Sequence, residues 1–457
     1  MAIADRFAWE AAKPVSKAPG VLRRAGLFTP GQATAALVCG TILLVGLLLL
    51  QKFGVPFGDE GAAEFCLPVT YFAILMLVIM TQKVGVDLIR LVLFVVFALM
   101  AVSVNLFSGH TYSMTSLMYA IAIYFPFVFR YFISADTFKR LMNLYINAAM
   151  IIVALTVANY LVQLAAGPSA WPNLDRIAPE DWLVKGYDYL QPIKYGMWLQ
   201  KPNAFFMFEA SFVSQYIGLG LIIELIFFGR PSRLLVLTAG LLLTFAGTGL
   251  VLLAACAPFL VVRMPPRILL IAALVGGVTA FAAVQYGWYS QVSHRVLEIQ
   301  YSHSSAHERF IDPATALLEF LQRPDALYNG VGSGEMLTRP GAVPWPITKV
   351  TIEYGVLTSV VFFGFFLYSL LGDGGHMRIG FALLVFYNFL SGSFAVPVNA
   401  MTCIFFCTLF RVANPPPPRK ITRRPSVRPA RADAPDAVQG GTDIGEPAAA
   451  PVASLSI

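Results

Sequence analysis

Apolar runs about as long as a bilayer is thick follow one another along most of the chain, separated by short polar linkers. A helix needs about 20 mostly apolar residues to cross the hydrocarbon core, where it satisfies its own backbone hydrogen bonds. The pattern lacks the short alternating segments of a transmembrane barrel. We therefore expect an all-α polytopic membrane protein, with helices at about 31–53, 62–81, 86–107, 112–133, 141–165, 208–228, 268–286, 350–371, 378–394 and 397–411.

The apolar run at 234–262 is too long for one ordinary span and short for two, and Gly247-Thr248-Gly249 lies near its centre. Basic residues decide the interpretation, because short cytoplasmic loops collect lysine and arginine. If the run crosses twice, one side holds the basic linkers with Lys83, Arg130, Lys139, Arg140, Arg230, Arg233, Arg263 and Arg267. A single crossing would move the last two, and the basic tail, to the outside. We therefore expect about twelve transmembrane helices (in the range of about 10 to 13) with both termini in the cytoplasm.

This topology divides the chain into three parts. Residues 1–30 are a basic cytoplasmic N-terminus, 31–412 form the transmembrane domain, and 413–457 are a disordered cytoplasmic tail rich in proline, arginine and alanine. Two long loops, 166–207 and 287–349, lie on the outer face.

Composition excludes a soluble globular domain. The chain is 57% hydrophobic and only 12% charged, with a mean hydropathy of +0.70. The five cysteines lie in apolar runs without the spacing of metal ligands. We therefore expect no metal site, no cofactor and no nucleic-acid partner.

The outer loop 287–349 concentrates the polar chemistry of the chain. It holds His294, His303 and His307, and a set of cations that comprises Arg295, Arg309, Arg323, Arg339 and Lys349. The residue pattern of this loop also predicts a surface helix. Asp312 is its expected N-cap, leucines form an apolar stripe along it, and it ends at Arg323-Pro324. Ser305 and Glu308 have the spacing of a capping box.

Two carboxylates lie at the outer boundary of predicted spans. Glu209 opens the span that begins near residue 208, among aromatic residues, where a carboxylate is costly without a partner. Glu353 follows Lys349 by four positions, so the two share one helical face and form an ion pair or serve another purpose. Either carboxylate is a candidate to accept a proton.

Tryptophan and glycine mark the same outer face. Most tryptophans of the chain lie in the two outer loops: Trp171, Trp182, Trp198, Trp288 and Trp345. They either mark the membrane interface or offer flat faces to sugar rings. The segment Gly330-Val331-Gly332-Ser333-Gly334 is either a tight turn or a place where backbone amides approach phosphate oxygens.

The order in which several of these elements occur along the chain resembles the order of motifs in the O-antigen polymerase and O-antigen ligase superfamily. The resemblance covers about residues 200–370. It comprises Phe208-x-Glu209-x-Ser211, a hairpin turn at Phe245-Ala246-Gly247-Thr248-Gly249, Arg309 before an amphipathic helix, the Gly-x-Gly-x-Gly turn, and Glu353-Tyr354-Gly355.

The resemblance implies a GT-C-like, inverting, metal-independent glycosyltransferase. Such an enzyme uses undecaprenyl-diphosphate-linked oligosaccharides at the periplasmic face of the bacterial inner membrane, among membrane lipids and beside flippase, chain-length and export proteins. Ligases of the superfamily carry a His-Asn pair where this chain has Trp345-Pro346-Ile347-Thr348-Lys349. Its absence favours an exopolysaccharide polymerase over a ligase.

The chemistry of that reaction assigns roles to the candidate residues. Arginine and lysine stabilise the charge that develops on a leaving diphosphate, with Arg309 first and Arg295, Arg323, Arg339 and Lys349 behind it. Glu209, Glu353 or His307 would take the proton of the attacking hydroxyl. The five outer tryptophans would stack on the glycan.

Three alternatives remain at this point. The first is ligase-type transfer to another acceptor. The second is a flippase or transporter for lipid-linked oligosaccharides, although the charged residues cluster at span ends and not in mid-membrane. The third is a structural partner of an export machine, which leaves the arginine-rich outer loop unexplained.

Overall fold

The computed structural model describes residues 30–413, apart from 58–60, 108, 110, 185–186, 188–189, 194–195, 262–276, 278–280, 282–284, 286–304, 339–344, 373–375 and 391–393. Several predictions lie outside the described residues: the basic N-terminus, nearly all of the span 268–286, the tail from 414, Trp288, His294, Arg295, His303 and Arg339.

The described chain is mainly helical. Its helices are α1 Pro30–Leu49, α2 Cys66–Thr81, α3 Leu88–Phe107, α4 Met114–Tyr124, α5 Ala135–Ala166, α6 Ala210–Phe227, α7 Pro231–Leu243, α8 Thr248–Val261, α9 Ser305–Phe310, α10 Asp312–Leu321, α11 Pro346–Leu371, α12 Met377–Val385 and α13 Pro397–Cys403. The last two continue as π-helical turns, Phe386–Leu390 and Ile404–Thr408. Single helical turns lie at Pro168–Ala170, Leu174–Ile177, Glu180–Trp182 and Glu335–Thr338.

Five of these helices are long and apolar enough to cross a membrane: α1, α3, α5, α6 and α11. Helices α2, α4, α7, α8, α12 and α13 are also apolar but shorter. The sequence-based expectation of a polytopic helical membrane protein is thereby confirmed.

The ambiguous run at 234–262 is divided into two helices, α7 and α8, as the hairpin interpretation requires. The turn lies at 244–247, and Gly249 belongs to the first turn of α8. A Cβ at Gly249 would overlap the backbone oxygen of Ser214, so glycine lets α8 pack directly on α6.

The all-α expectation missed two small sheets. Strands β1 (Gly54–Phe57) and β2 (Gly61–Glu64) form an antiparallel hairpin between α1 and α2. Strand β4 (Phe129–Ile133) lies between β3 (Gly85–Val86) and β5 (Phe410–Val412). The single helix predicted at 112–133 is therefore wrong: α4 passes into a 3₁₀ turn containing Pro126, which has no N–H to donate, and then into β4.

These sheets mark the two ends between which successive helices run. We call the end with the β1–β2 hairpin the hairpin end and the end with β3, β4 and β5 the sheet end. At the sheet end, Arg90 donates to the carbonyls of Phe127 (3.1 Å) and Thr408 (2.9 Å). Arg411 donates to the carbonyl of Gly372 at 3.1 Å. Buried guanidinium groups there satisfy backbone carbonyls left open where helices end.

Glu224 also lies near the sheet end, at the last turn of α6. It is buried and pairs with Arg230 at 2.6 Å. The carboxylates that remain for chemistry lie at the hairpin end.

Candidate functional site

Glu209 and Arg309 meet at the hairpin end. Glu209 is the N-cap residue of α6 and only 5% exposed, whereas Arg309 lies on the short helix α9. Arg309 Nη2 lies 2.7 Å from Glu209 Oε1. The same carboxylate accepts hydrogen bonds from Gln191 Nε2 at 3.2 Å and from the hydroxyl of Ser211. Three donors therefore fix the Glu209 carboxyl group in place.

The backbone behind Arg309 is held by Trp345, the N-cap residue of α11. Trp345 Nε1 donates to the carbonyl of Arg309 at 2.7 Å, and its ring packs edge-on against Phe389 at 5.2 Å. About a quarter of the Arg309 side chain is exposed. Apart from the bond to Glu209, its guanidinium donors make no hydrogen bond to the residues that the structure describes. The geometry thus presents an anchored guanidinium to solvent.

Lys349 and Glu353 form a second pair, one helical turn further along α11. Their Nζ and Oε1 atoms are 2.8 Å apart, and both side chains are almost completely buried. Of the two interpretations from spacing, the ion pair is confirmed. Glu353 Oε1 also accepts the backbone N–H of Gly334 at 3.2 Å, which ties the pair to the glycine segment.

Helix α11 is broken at Gly355, whose φ of 82° and ψ of 163° lie outside the helical region. Residues 326–334 cross the break and satisfy the open backbone groups. Val331 N donates to Ile352 O at 2.8 Å, and Val356 N donates to Ala326 O at 3.0 Å. A Cβ at Gly330 would overlap the carbonyl of Glu353, so the close approach requires glycine.

The structure does not support the phosphate interpretation of the glycine segment, because the amides of residues 331–334 are bonded inside the protein. Besides Val331, Gly332 N donates to Glu353 O at 3.2 Å and Ser333 N donates to Asn105 Oδ1 at 2.9 Å. Gly334 N donates to Glu353, as described above. The segment is a docking element for the broken helix.

Glu64, which sequence reasoning missed, is a further carboxylate at the hairpin end. It is the last residue of β2, is 3% exposed, and accepts the N–H of Val398 at Oε2 over 3.0 Å. Burial raises the pKa of its carboxyl to about 8. A signal existed: Glu64 interrupts an apolar run at its outer boundary, the same reason that singled out Glu209.

Tyr187 connects Glu64 to the first pair. Its ring stacks on Phe208 with 4.1 Å between centroids. Burial raises the pKa of the Tyr187 hydroxyl, the charges of Glu64 and Glu209 raise it further, and Arg309 lowers it. One hydroxyl thus lies within electrostatic reach of two carboxylates and the guanidinium.

The other candidates pair locally. Arg323 contacts Asp325 at 2.9 Å and His307 lies 3.3 Å from Asp312. Asp312 is the first residue of α10 and not its N-cap, which is Ile311. Trp182 and Trp198 are each 55% exposed, and Trp171 is half-buried. The roles assigned to these residues stay predictions.

Comparison with known proteins assigns a family. The family model described as WcaD colanic acid polymerase matches residues 39–371, a stretch that contains Glu64, Glu209, Arg309 and the broken helix α11. No curated protein and no solved structure matches the chain. The match covers most of the sequence. The apolar helices of the described chain are those of a multi-pass membrane protein, and the family indicates a role in polysaccharide biosynthesis. The chain belongs to the WcaD colanic acid polymerase family, whose members are glycosyltransferase-type polymerases acting on lipid-linked oligosaccharides.

Proposed function

We propose that this protein joins oligosaccharide repeat units carried on undecaprenyl diphosphate, at the periplasmic face of the bacterial inner membrane. The observation that carries the proposal is the anchored, partly exposed Arg309 at the hairpin end. A guanidinium binds phosphate oxygens in bidentate fashion and stabilises the charge on a leaving diphosphate without a metal.

The proposed topology has about twelve spans with both termini in the cytoplasm. The apolar helices of the described chain, together with the span predicted at 268–286, reach this number. The sheet end then faces the cytoplasm, because Lys83, Arg130, Arg230 and Arg233 lie there. The hairpin end, and the loops 166–207 and 287–349, face the periplasm.

In the proposed reaction, a hydroxyl oxygen of the acceptor unit attacks the anomeric carbon of the donor from the side opposite the diphosphate. The bond from that carbon to the diphosphate oxygen breaks, its electron pair leaves with the diphosphate, and the configuration inverts. Arg309 stabilises the leaving group, and Glu209 holds Arg309 in position. Lys349, Arg295, Arg323 and Arg339 are further candidates to bind the diphosphate.

The exposed rings of Trp182 and Trp198 give the proposed site two flat faces for sugar rings. Trp345 contributes differently, since its indole N–H holds the backbone of Arg309. Glu353 and His307 remain predicted proton acceptors beside Glu209, and flippase and chain-length proteins remain predicted partners.

The test is the length of the glycan in cells that produce Arg309→Ala. We expect single repeat units to accumulate on the lipid carrier while long polymer disappears. The matched control is Arg176→Ala, because Arg176 is an exposed arginine of the other outer loop. We expect this variant to make polymer of normal length.

Three outcomes would contradict the proposal. Long polymer from a well-expressed Arg309→Ala variant would show that polymerisation does not require Arg309. Lipid-linked units retained on the cytoplasmic face indicate a flippase instead. Long polymer that stays on its lipid carrier and is not passed to another acceptor indicates ligase-type transfer.

A further inference from the structure

The buried acidic side chains of the described chain differ in whether they have a cationic partner. Five are buried, and four of them are ion-paired: Asp87 with Arg130, Glu209 with Arg309, Glu224 with Arg230 and Glu353 with Lys349. Glu64 has no cationic partner among the described residues. An unpaired buried carboxyl is costly when ionised, so its presence at the hairpin end needs an explanation.

The hydrogen bonds of Glu64 leave one oxygen unused. Oε2 accepts the N–H of Val398, and the backbone N–H of Glu64 donates to the hydroxyl of Tyr119 at 3.0 Å. The hydrogen bonds of Glu64 to the described residues do not involve Oε1. The side chain is therefore held at one oxygen and can accept a proton at the other.

Hydrogen bonds and an ion pair join the β1–β2 hairpin, which carries Glu64, to the loop that leads to Glu209. Phe53 forms a β-bridge with Leu183, and Val184 N donates to Lys52 O at 2.9 Å. Lys52 and Asp175 form an ion pair between the same two segments. Tyr187 of this loop lies within electrostatic reach of Glu64, Glu209 and Arg309. Glu64 thus belongs to the same site.

The three carboxylates at the hairpin end differ in their partners. The carboxyl oxygens of Glu209 are bound by Arg309, Gln191 and Ser211. Glu353 Oε1 is likewise bound, by Lys349 and by the backbone N–H of Gly334. Glu64 is buried without a cationic partner among the described residues, and burial raises the pKa of its carboxyl to about 8, close to the working pH of a general base.

We propose that Glu64 is the proton acceptor of the glycosyl transfer, an inference that rests on the proposed polymerase function. As the acceptor oxygen forms its bond to the anomeric carbon, the hydroxyl proton passes to Glu64 Oε1. The electron pair of the breaking bond leaves on the diphosphate, beside Arg309. Water then takes the proton from Glu64 and restores the carboxylate.

The test is polymer formation by the purified full-length protein in lipid nanodiscs, supplied with lipid-diphosphate-linked repeat units. We expect Glu64→Gln to lower the turnover rate by about 100-fold or more. A glutamine oxygen can still accept the N–H of Val398, so we expect an unchanged melting temperature and donor KM. The matched control is Glu319→Gln, an exposed glutamate on α10, which should keep the wild-type rate.

The pH profile separates a base from a structural residue. The wild-type rate should rise about tenfold per pH unit below about pH 8 and level off above it, because only the ionised carboxyl accepts a proton. The other titratable groups around Glu64 are Cys66, Tyr119, Tyr187 and Tyr216. Glu64→Gln keeps all four, so loss of the slope in this variant assigns it to Glu64.

Glu64→Asp is the second variant and covers the case in which Glu64→Gln does not fold. It keeps a carboxyl in a displaced position, so the rate should fall while the slope persists. A wild-type rate in Glu64→Gln, an unchanged slope in that variant, or a flat profile in Glu64→Asp overturns the inference. If Arg309→Ala is inactive while Glu64→Gln is fully active, only the role of Glu64 fails. If both are active, the proposed site fails.

Discussion

Arg309 and Glu209 lie one hundred positions apart in the chain and form an ion pair of 2.7 Å at the hairpin end. Glu209 begins a long apolar helix, whereas Arg309 lies in a polar segment held by Trp345. Tyr187 lies within electrostatic reach of this pair and of the buried carboxyl of Glu64. The site is therefore assembled from three separate parts of the sequence.

Exchanging the charges of this pair separates its structural role from its catalytic role. Arg309→Glu and Glu209→Arg should each lower the melting temperature, because each leaves like charges in contact in a largely buried place. The double variant restores opposite charges, so its melting temperature should recover most of the loss. We nevertheless expect no long polymer from any of the three, since the cation no longer occupies its original position. Polymer from the double variant would assign the pair to stability alone.

Alanine substitutions test the broken helix α11. Gly355→Ala places a side chain at φ 82° and ψ 163°, a region almost restricted to glycine, which costs about 1–3 kcal/mol. Gly330→Ala creates an overlap with the Glu353 carbonyl. Both variants should unfold at lower temperature in detergent, with the larger loss for Gly330→Ala. Gly364 provides the control, because a Cβ there meets nothing within 4 Å. Equal melting temperatures for all three variants would exclude the docking role of residues 326–334.

His376 gives the protein an acid-sensitive contact at the sheet end. Its ring lies against Phe227, with 4.7 Å between centroids, and burial lowers its pKa from 6.5 to about 4. The folded state thus favours neutral histidine. Its contribution is complete above about pH 6.5 and is lost as the pH falls through about 4. We expect the wild-type melting temperature to fall over this range, and to fall less in His376→Gln. Identical pH dependence in the two proteins would show that other groups control acid stability.

Sequence pattern predicted the helical elements well because the membrane leaves few choices. An apolar run must satisfy its own backbone hydrogen bonds, so the apolar helices follow from local composition. The division of 234–262 into two helices followed from the distribution of basic residues along the chain. The surface helix was also predicted within one residue of its observed start. Where local chemistry competes with tertiary contacts, prediction failed, as at Phe129–Ile133, which pairs as a strand with both β3 and β5.

Residue chemistry identified Glu209, Lys349 and Glu353 as charges at span ends that need partners, and Arg309 as a cation of the outer loop. The short spacing on one helix also indicated the pairing of Lys349 with Glu353. Only the tertiary structure decided that Arg309 partners Glu209 and that the amides of residues 331–334 are bonded inside the protein. It also decided that Glu64 lies buried at the hairpin end without a cationic partner among the described residues. The physical reason is that these contacts join segments far apart in the chain. Which segments meet depends on how whole helices pack, and no local pattern of polar and apolar residues records that.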